Sequence, residues 1–338
     1  YKYFTTTNRK FIITDAPGHF QYTKNLITGA SNTDLIIILI DARNSITDQT
    51  RRHSQVASFL RIPNVIVAVN KMDCVNYSEA VFNQIKSQFL TIAAALNLPP
   101  LVFIPMSALH GENVSTVSEN MAWFSGKHLL AELESALPAA MHSQKNRCTI
   151  QYTSDTGNGQ WGFGKVISGT LNINDMITIY PSLTNSQITA LISNGKSSDH
   201  ACAGDNITVA ISGNAALKRG DIIAAGNDVP YCTNSFTATI CWLEETAPLQ
   251  LNSDYMLRIN AFEVLGKVTE ILHKTDVSNF EKYNDDTPLG VNSFALIRIE
   301  TESTVAYDLF ADLPNNGRGI FIDMGTNNTC GVFRIESE

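Results

Sequence analysis

The feature that most constrains the fold is an alternation, before about residue 139, of short apolar runs with segments of helical character. The apolar runs have the length and β-branched composition of buried strands; they are residues 10–15, 34–41, 64–70 and 101–106. The residues between and after these apolar runs have helix-type spacing of apolar side chains and helix-capping residues. They predict helices through residues 21–27, 50–60, 78–97 and 129–137. Strands that alternate with helices predict a parallel, doubly wound sheet, whose ligands bind at the carboxyl ends of the strands.

Beyond a polar stretch at residues 139–146, the pattern changes to short β-type runs separated by Gly, Asn and Asp turns. We predict two small β-barrels there, with Pro230 marking the linker between them. A chain of 338 residues is too long for one hydrophobic core. The predicted domains are therefore residues 1–139, 147–228 and 233–338.

The first apolar run ends at Asp15, which is followed by a Pro-Gly turn and His19. A carboxylate at the end of a strand is placed to hold Mg²⁺, here through water. Gly18 lets a backbone N–H approach a phosphate, because no Cβ blocks the way. His19 is placed to orient an attacking water. The Asp-x-x-Gly pattern is weak by itself and gains meaning only from the motifs at the other strand ends.

The third run ends in Asn70-Lys71-Met72-Asp73, which has the pattern of a guanine-reading motif of GTPases. The Asp73 carboxylate can accept hydrogen bonds from N1–H and the N2 amino group of guanine together, and adenine offers no such pair. Asn70 can bond the N7 side of the base, and the stem of Lys71 can cover its face. A surface loop starting a turn is the less favoured alternative, since this motif comes directly after a buried strand.

The fourth run ends in Ser107-Ala108-Leu109, which is typical of the companion loop of such a site. The Ala108 N–H would bond guanine O6, Ser107 would hold the loop in shape, and Leu109 completes the loop. The tripeptide alone has no meaning. Three such motifs in order at three strand ends predict a GTP site.

The phosphate-binding motif G-x-x-x-x-G-K-[ST] does not occur in the sequence, and only 14 residues precede Asp15. Residues 194–197 come nearest, but position 190 is Ala, so we interpret this run as a turn. A switch threonine that would bind Mg²⁺ is also missing. We therefore expect the sequence to begin inside a longer protein, at the second strand of a GTPase domain. Residues 1–338 alone should bind GTP poorly and be inactive.

Charge is unevenly distributed along the chain. Residues 1–139 have a net charge of +1 and residues 140–338 one of −9, which argues against a large nucleic-acid surface on the barrels. The longest apolar runs, such as residues 35–40, are too short to span a membrane. The cysteines form no C-x-x-C pair, so we expect buried free thiols in a reducing cytoplasm. They are Cys74, Cys148, Cys202, Cys232, Cys241 and Cys330.

With these motifs and the two barrels, the chain resembles the translation-factor class of GTPases. Within that class it is most similar to the GTPase-subunit family of sulfate adenylyltransferase, the large regulatory subunits of the bacterial heterodimeric enzyme. The residues that carry this closer similarity are 41–43, 48–54, 76–79, 123–126 and 219–221. The resemblance implies an α/β P-loop GTPase-type sheet, without its first strand and phosphate loop, followed by two barrels of elongation-factor type.

The resemblance also implies a function, with GTP and Mg²⁺ as cofactors. Such a subunit hydrolyses GTP to drive the formation of adenylyl sulfate and pyrophosphate from ATP and sulfate, in sulfate assimilation. A smaller catalytic subunit would carry out the adenylyl transfer, with no nucleic acid or membrane involved. His19 would be the hydrolytic histidine. The residues that match the nucleotide motifs are Asp15, Gly18, Asn70, Lys71, Asp73, Ser107 and Ala108.

Two alternatives stay open. One is an elongation-factor-like translational GTPase that carries aminoacyl-tRNA, against which the −9 charge of the barrels weighs. The other is a non-enzymatic scaffold that kept the fold and lost the phosphate loop.

Overall fold

A computed structural model describes residues 2–15, 23–137, 145–155, 160–213 and 215–338. The chain divides into two compact units, one of Tyr1–Ala140 with Asp276–Glu281 and the other of Met141–Thr275 with Lys282–Glu338. Gly18, His19 and most of the predicted linker at 139–146 lie outside the described residues. The three predicted domain boundaries stay a prediction.

The first unit contains a parallel sheet of three strands in the order β3-β4-β5, with helices following the strands along the chain. Its elements are β1 (Lys2–Thr5), β2 (Lys10–Ile13), α1 (Thr23–Ala30), β3 (Leu35–Asp41), α2 (Asp48–Phe59), β4 (Asn64–Asn70), α3 (Glu79–Ala95), β5 (Leu101–Pro105) and α4 (Leu129–Ser135). A short 3₁₀ helix, Met72–Val75, follows β4. The central strand β4 is buried along most of its length, as its uninterrupted apolar run predicts.

The longest helix, α3, shows how the sequence determines these elements. Ser78 caps it by accepting a hydrogen bond from the backbone N–H of Val81, which satisfies one of the free donors of the first turn. Phe82, Ile85 and Phe89 lie at helical spacing and are buried in the core of the unit. The predicted cap and apolar face are both observed.

Strand β2 corrects the prediction of a buried parallel strand over residues 10–15. Lys10–Ile13 pairs antiparallel with Lys2–Thr5 in a separate hairpin, and the rings of Phe4 and Phe11 stack 4.5 Å apart. Ile12 is 63% exposed. The prediction is wrong because the adjacent strand satisfies the backbone hydrogen bonds of β2 locally, and an apolar run does not reveal which partner a strand takes.

The second unit begins with a barrel in which β10, β13, β7, β6, β14 and β9 follow one another, and β9 pairs with β10 to close the ring. Its strands are β6 (Asn146–Asp155), β7 (Gln160–Ser168), β8 (Thr170–Asn172), β9 (Met176–Tyr180), β10 (Thr184–Ser193), β11 (Lys196–Ser197), β12 (His200–Cys202), β13 (Asn206–Ile211) and β14 (Ile222–Ala225). Asn194 and Gly195 both have positive φ in the hairpin between β10 and β11. The predicted turn at 194–197 is thereby confirmed.

A second closed barrel follows, in the order β16, β20, β21, β15, β19 and β17, with β17 pairing back onto β16. Its strands, with the short β18, are β15 (Tyr231–Trp242), β16 (Asp254–Ile259), β17 (Phe262–Thr275), β18 (Lys282–Tyr283), β19 (Phe294–Tyr307), β20 (Arg318–Ile322) and β21 (Thr329–Ser337). Aromatic rings of Phe236, Trp242, Phe321 and Phe333 fill its core. The first barrel has a separate aliphatic core.

A buried ion pair links the two barrels. Arg147, on β6, and Asp308, just after β19, are both fully buried, and two guanidinium nitrogens donate to the two carboxylate oxygens, each at 3.1 Å. Asn316 adds a bond to Asp308 Oδ2 at 2.8 Å, and Lys145 lies 3.1 Å from Asp308 Oδ1. Every charge in this cluster therefore has a partner, as a buried charge requires.

The six cysteines all carry free thiols. Cys148, Cys241 and Cys330 are buried as predicted, but Cys74 and Cys202 are exposed, so the predicted burial is wrong for these two. Both lie in short surface segments, and residue type alone does not determine burial. No helix in the described ranges is long and apolar enough to cross a membrane.

Candidate functional site

The parallel sheet brings the carboxyl ends of its strands to one edge. In the pairing register Asp41 lies beside Asn70, and Val69 lies beside Pro105. The loops that follow β4 and β5 therefore start next to each other, as predicted for Asn70–Asp73 and Ser107–Leu109. Backbone hydrogen bonds from Met72 N to Met106 O (3.1 Å) and from Met106 N to Val69 O (2.8 Å) hold them together.

Asn70 ties the two loops through its side-chain oxygen. Its Oδ1 accepts hydrogen bonds from the backbone N–H of Lys71 at 2.8 Å and of Ala108 at 2.9 Å. The oxygen is thus held by the protein, and no described residue accepts a bond from the amide nitrogen. The Ala108 N–H that the sequence assigns to guanine O6 already has an acceptor here. Bonding O6 as well would require a three-centre arrangement.

Asp73 is oriented by Ser107, for which the sequence predicts only a role in shaping its own loop. The Ser107 hydroxyl donates to Asp73 Oδ1 at 2.5 Å, and the Cys74 thiol lies 3.3 Å from Oδ2. The hydrogen bond from Ser107, followed by that from Cys74, keeps the pKa of Asp73 below its ordinary value against the desolvation that opposes this. Each carboxylate oxygen keeps a second lone pair, so two outward hydrogen bonds can still be accepted.

The loop after β5 is held in shape by residues that the sequence motifs do not include. Ser107 and Glu112 exchange backbone hydrogen bonds at 3.2 and 3.0 Å. The buried Asn113 donates to Pro105 O at 2.9 Å and accepts from Ser118 N at 2.8 Å. A spacing rule that looks only at residues 107–109 could not find these contacts. Leu109 itself is 83% exposed.

Asp41 and Arg43 are further members of the site without an assigned role in the sequence motifs. Arg43 donates from Nε and Nη2 to the two oxygens of Asp41 at 3.0 and 2.7 Å, and Lys71 Nζ lies 2.8 Å from Oδ2. Hydrogen bonds from Arg43 first, and also from Lys71, lower the pKa of Asp41 far below its ordinary value. The position of Asp41 at a strand end is a signal that could have revealed it.

Asp15 lies two residues beyond β2 and is exposed. No hydrogen bond or ion pair joins it to another described residue. A carboxylate without a partner among the described residues suits Mg²⁺, which prefers oxygen ligands and commonly keeps several waters beside one or two carboxylates. Within the described ranges no group of three or more His, Cys, Asp and Glu side chains could hold a metal ion by itself. The geometry thus brings together the predicted residues of the base site, while no contact shown joins Asp15 to them.

Two protein families match parts of this chain. The family described as the elongation factor Tu GTP binding domain matches residues 1–139, and the GTP-eEF1A C-terminal domain-like family matches residues 235–336. Among solved structures, Sup35 in complex with GDP covers 99% of this chain, with 83% of its own chain matched, a TM-score of 0.54 and 22% identity. At this identity the likeness shows the fold alone, that of a translation-factor GTPase domain with two barrels.

Relatives with higher identity span the whole chain. Sulfate adenylyltransferase subunit 1 of Francisella tularensis subsp. novicida (strain U112) is 38% identical over 98% of this chain and 70% of its own length. The protein of the same name from Laribacter hongkongensis is 37% identical over 100% of this chain and 70% of its own length. The protein of the same name from Chromobacterium violaceum is 38% identical over 100% of this chain and 72% of its own length. With this identity and coverage, the chain belongs to the family of sulfate adenylyltransferase subunit 1.

Proposed function

We propose that this chain is the GTP-binding and GTP-hydrolysing subunit of a sulfate adenylyltransferase. Its GTP hydrolysis drives the formation of adenylyl sulfate and pyrophosphate from ATP and sulfate. The observation that carries the proposal is the Asp73 carboxylate, oriented by Ser107 at 2.5 Å, beside Asn70 at the sheet edge. The names of the relatives support the reaction that this GTP site serves.

The base-reading roles follow from the donors and acceptors at this edge. Asp73 accepts from guanine N1–H and N2, and the Asn70 amide donates on the N7 side. Ala108 shares its N–H between Asn70 Oδ1 and guanine O6. Lys71, whose side chain is 47% exposed, covers one face of the base with its stem. A site built from such paired hydrogen bonds discriminates strongly, because a mismatched base leaves buried groups unpaired.

The hydrolytic roles rest on the sequence. Asp15 holds Mg²⁺ through water, the Gly18 N–H contacts a phosphate, and His19 orients the attacking water. Mg²⁺ in such sites neutralises the charge that develops on the phosphate oxygens. The exposed carboxylate of Asp15 supports its part of this assignment.

The name subunit 1 implies a complex with at least one other subunit. We propose that the partner is a smaller catalytic subunit that binds ATP and sulfate and carries out the adenylyl transfer, and that the pair works in the cytoplasm. The −9 charge of residues 140–338 supports a protein partner in preference to nucleic acid. The names of the relatives likewise favour this function over that of an elongation factor.

The test is capture of the natural full-length protein from a lysate at ~0.15 M salt, near physiological ionic strength, with bound protein and RNA both identified. We expect a smaller adenylyltransferase in the eluate, and adenylyl sulfate formation by that eluate that depends on GTP. Charged tRNA without any adenylyltransferase would overturn the proposal in favour of an elongation factor. If the complex forms the same amount of adenylyl sulfate with and without GTP, the proposal that GTP hydrolysis drives this reaction is wrong.

A further inference from the structure

We propose that Asp41 is a positioning residue of the nucleotide site. It holds the Lys71 side chain in the conformation in which the stem covers one face of the guanine base. The inference rests on the proposed GTP-binding function and adds a residue to it. Asp41 acts through Lys71 and does not itself contact the base.

The backbone places both residues for this contact. Asp41 ends β3 directly beside Asn70, the last residue of β4, so its carboxylate lies at the sheet edge next to the motif. Lys71 has a φ of +63°, in the left-handed region that non-glycine residues seldom adopt. Lys71 is the N-cap of the 3₁₀ helix Met72–Val75, which begins directly after it. Lys71 Nζ then meets Asp41 Oδ2 at 2.8 Å.

Arg43 fixes the Asp41 carboxylate independently of Lys71. The Arg43 guanidinium binds both oxygens, and its backbone N–H donates a further bond to Oδ1 at 3.0 Å. Such a two-pronged pair is geometrically specific. The carboxylate is therefore already oriented when the lysine reaches it, and the fork prevents its rotation away.

The consequence concerns the four-carbon stem of Lys71, which in isolation samples many rotamers. Anchoring the ammonium at one end leaves the stem stretched between Asp41 and the backbone. When a base stacks on this stem, less conformational entropy of the Lys71 side chain is lost on binding. Losing the anchor should weaken binding of GDP and GTP alike, without changing which base is chosen, because Asp73 is untouched.

The experiment measures GDP and xanthosine diphosphate affinity by calorimetry on the natural full-length protein. Asp41→Asn should weaken GDP binding about threefold to tenfold, as expected for a partly exposed charge-assisted contact, with the guanine preference unchanged. Asp41→Glu should restore part of the loss. Asp34→Asn, at the amino end of the same strand, is the matched control and should bind like wild type.

A double-mutant cycle with Lys71→Met, which keeps the stem and removes the ammonium, tests whether Asp41 acts through Lys71. Asp41→Asn should have no further effect in the Lys71→Met protein. Additive losses, or an unchanged affinity in the Asp41→Asn protein, would overturn the inference. If Asp41→Asn does not fold, Lys71→Met alone must still show the loss. A wild-type protein that binds no guanine nucleotide would instead refute the proposed function and this inference together.

Discussion

The Ser107 hydroxyl lies 2.5 Å from Asp73 Oδ1, so the loop after β5 directly orients the carboxylate of the loop after β4. Ser107 is fully buried, whereas the Asp73 side chain is 17% exposed. A side chain on the protein interior thus fixes one that faces outward. This arrangement allows the base site to be tested from either residue.

Ser107→Ala should lower GDP affinity about tenfold, because a hydrogen bond to a charged group is lost and Asp73 can rotate. Ser118→Ala is the matched control, since its buried hydroxyl has no partner among the described residues. The control should bind GDP like wild type in calorimetry on the natural full-length protein. Equal effects of the two substitutions would show that Ser107 only fills space.

Asp73→Asn should shift the preference from guanosine to xanthosine triphosphate. Xanthine presents a carbonyl where guanine has its amino donor, so an amide suits it better than a carboxylate. The measurement compares the affinities of both nucleotides for wild-type and variant protein. A variant that still prefers GTP would falsify the assignment of Asp73 to the base.

His19→Ala should slow GTP hydrolysis by roughly 10²-fold, the scale for losing a positioned catalytic group. Nucleotide affinity should stay nearly constant, because His19 would act on water and leave the base and ribose untouched. His200→Ala, in the first barrel, provides a control with normal turnover. If affinity falls in step with the rate, the assignment of His19 to water is wrong.

Asp308→Ala should reduce the free energy of unfolding by about 3–5 kcal/mol, because the buried Arg147 charge loses its buried carboxylate partner and keeps only the half-exposed Asp228, 3.8 Å away. Replacing Arg147 by Met and Asp308 by Leu together should cost less than the single change. Glu263→Ala breaks an exposed pair with Arg258 and should cost below about 1 kcal/mol. Urea unfolding followed by circular dichroism measures all three, and a small loss for Asp308→Ala contradicts the prediction.

Asp221 gives a prediction for the pH dependence of stability. Burial raises the pKa of Asp221, although the Lys218 N–H donates to it at 2.7 Å. The contribution of Asp221 to the free energy of unfolding is therefore fully present below its pKa in the unfolded chain, about 3.9. This contribution is lost as the pH rises through its pKa in the folded protein. Asp221→Asn should be increasingly more stable than wild type as the pH rises from 4 to 8.

Asp205, in the same barrel, is the control of opposite sign. A bond from the Cys202 N–H, then those from Asn194 and Ser193, lower its pKa. The contribution of Asp205 to the free energy of unfolding is present above its pKa in the unfolded chain. It is lost as the pH falls through its pKa in the folded protein. Asp205→Asn should be less stable than wild type at neutral pH. Thermal melts of both variants at each pH provide the comparison, and shifts of the same sign would contradict it.

Some elements could be predicted from the sequence because one physical requirement dominates them. Strand β4 is observed over the predicted residues 64–70, since a strand buried on both faces needs an unbroken apolar run. Helix α3 begins after its predicted cap at Ser78. The adjacency of the loops that carry Asp73 and Ser107 followed from the parallel pairing of β4 and β5, but the hydrogen bond between these two side chains was not predicted.

Other elements depend on partners that local sequence does not specify. An apolar run over residues 10–13 is compatible with both a buried parallel strand and a hairpin, and the structure has the hairpin. The buried Asn113 supports the loop after β5 by contacts to residues 5 and 8 positions away. Asp41 lies at a strand end like Asn70, but no short motif contains it together with Lys71.

The Arg147–Asp308 pair has a consequence for dissecting this chain. Arg147 precedes the junction near Pro230 and Asp308 lies beyond it, so cleavage there would divide one saturated charge cluster between two polypeptides. The piece that contains Asp308 would lose both cations paired with this buried carboxylate, and Arg147 would keep only Asp228, 3.8 Å away. An uncompensated charge at a formerly buried surface favours water entry and self-association. The two barrels should therefore resist separation by limited proteolysis. A chimera with a homologue should fold only when both barrels are exchanged together.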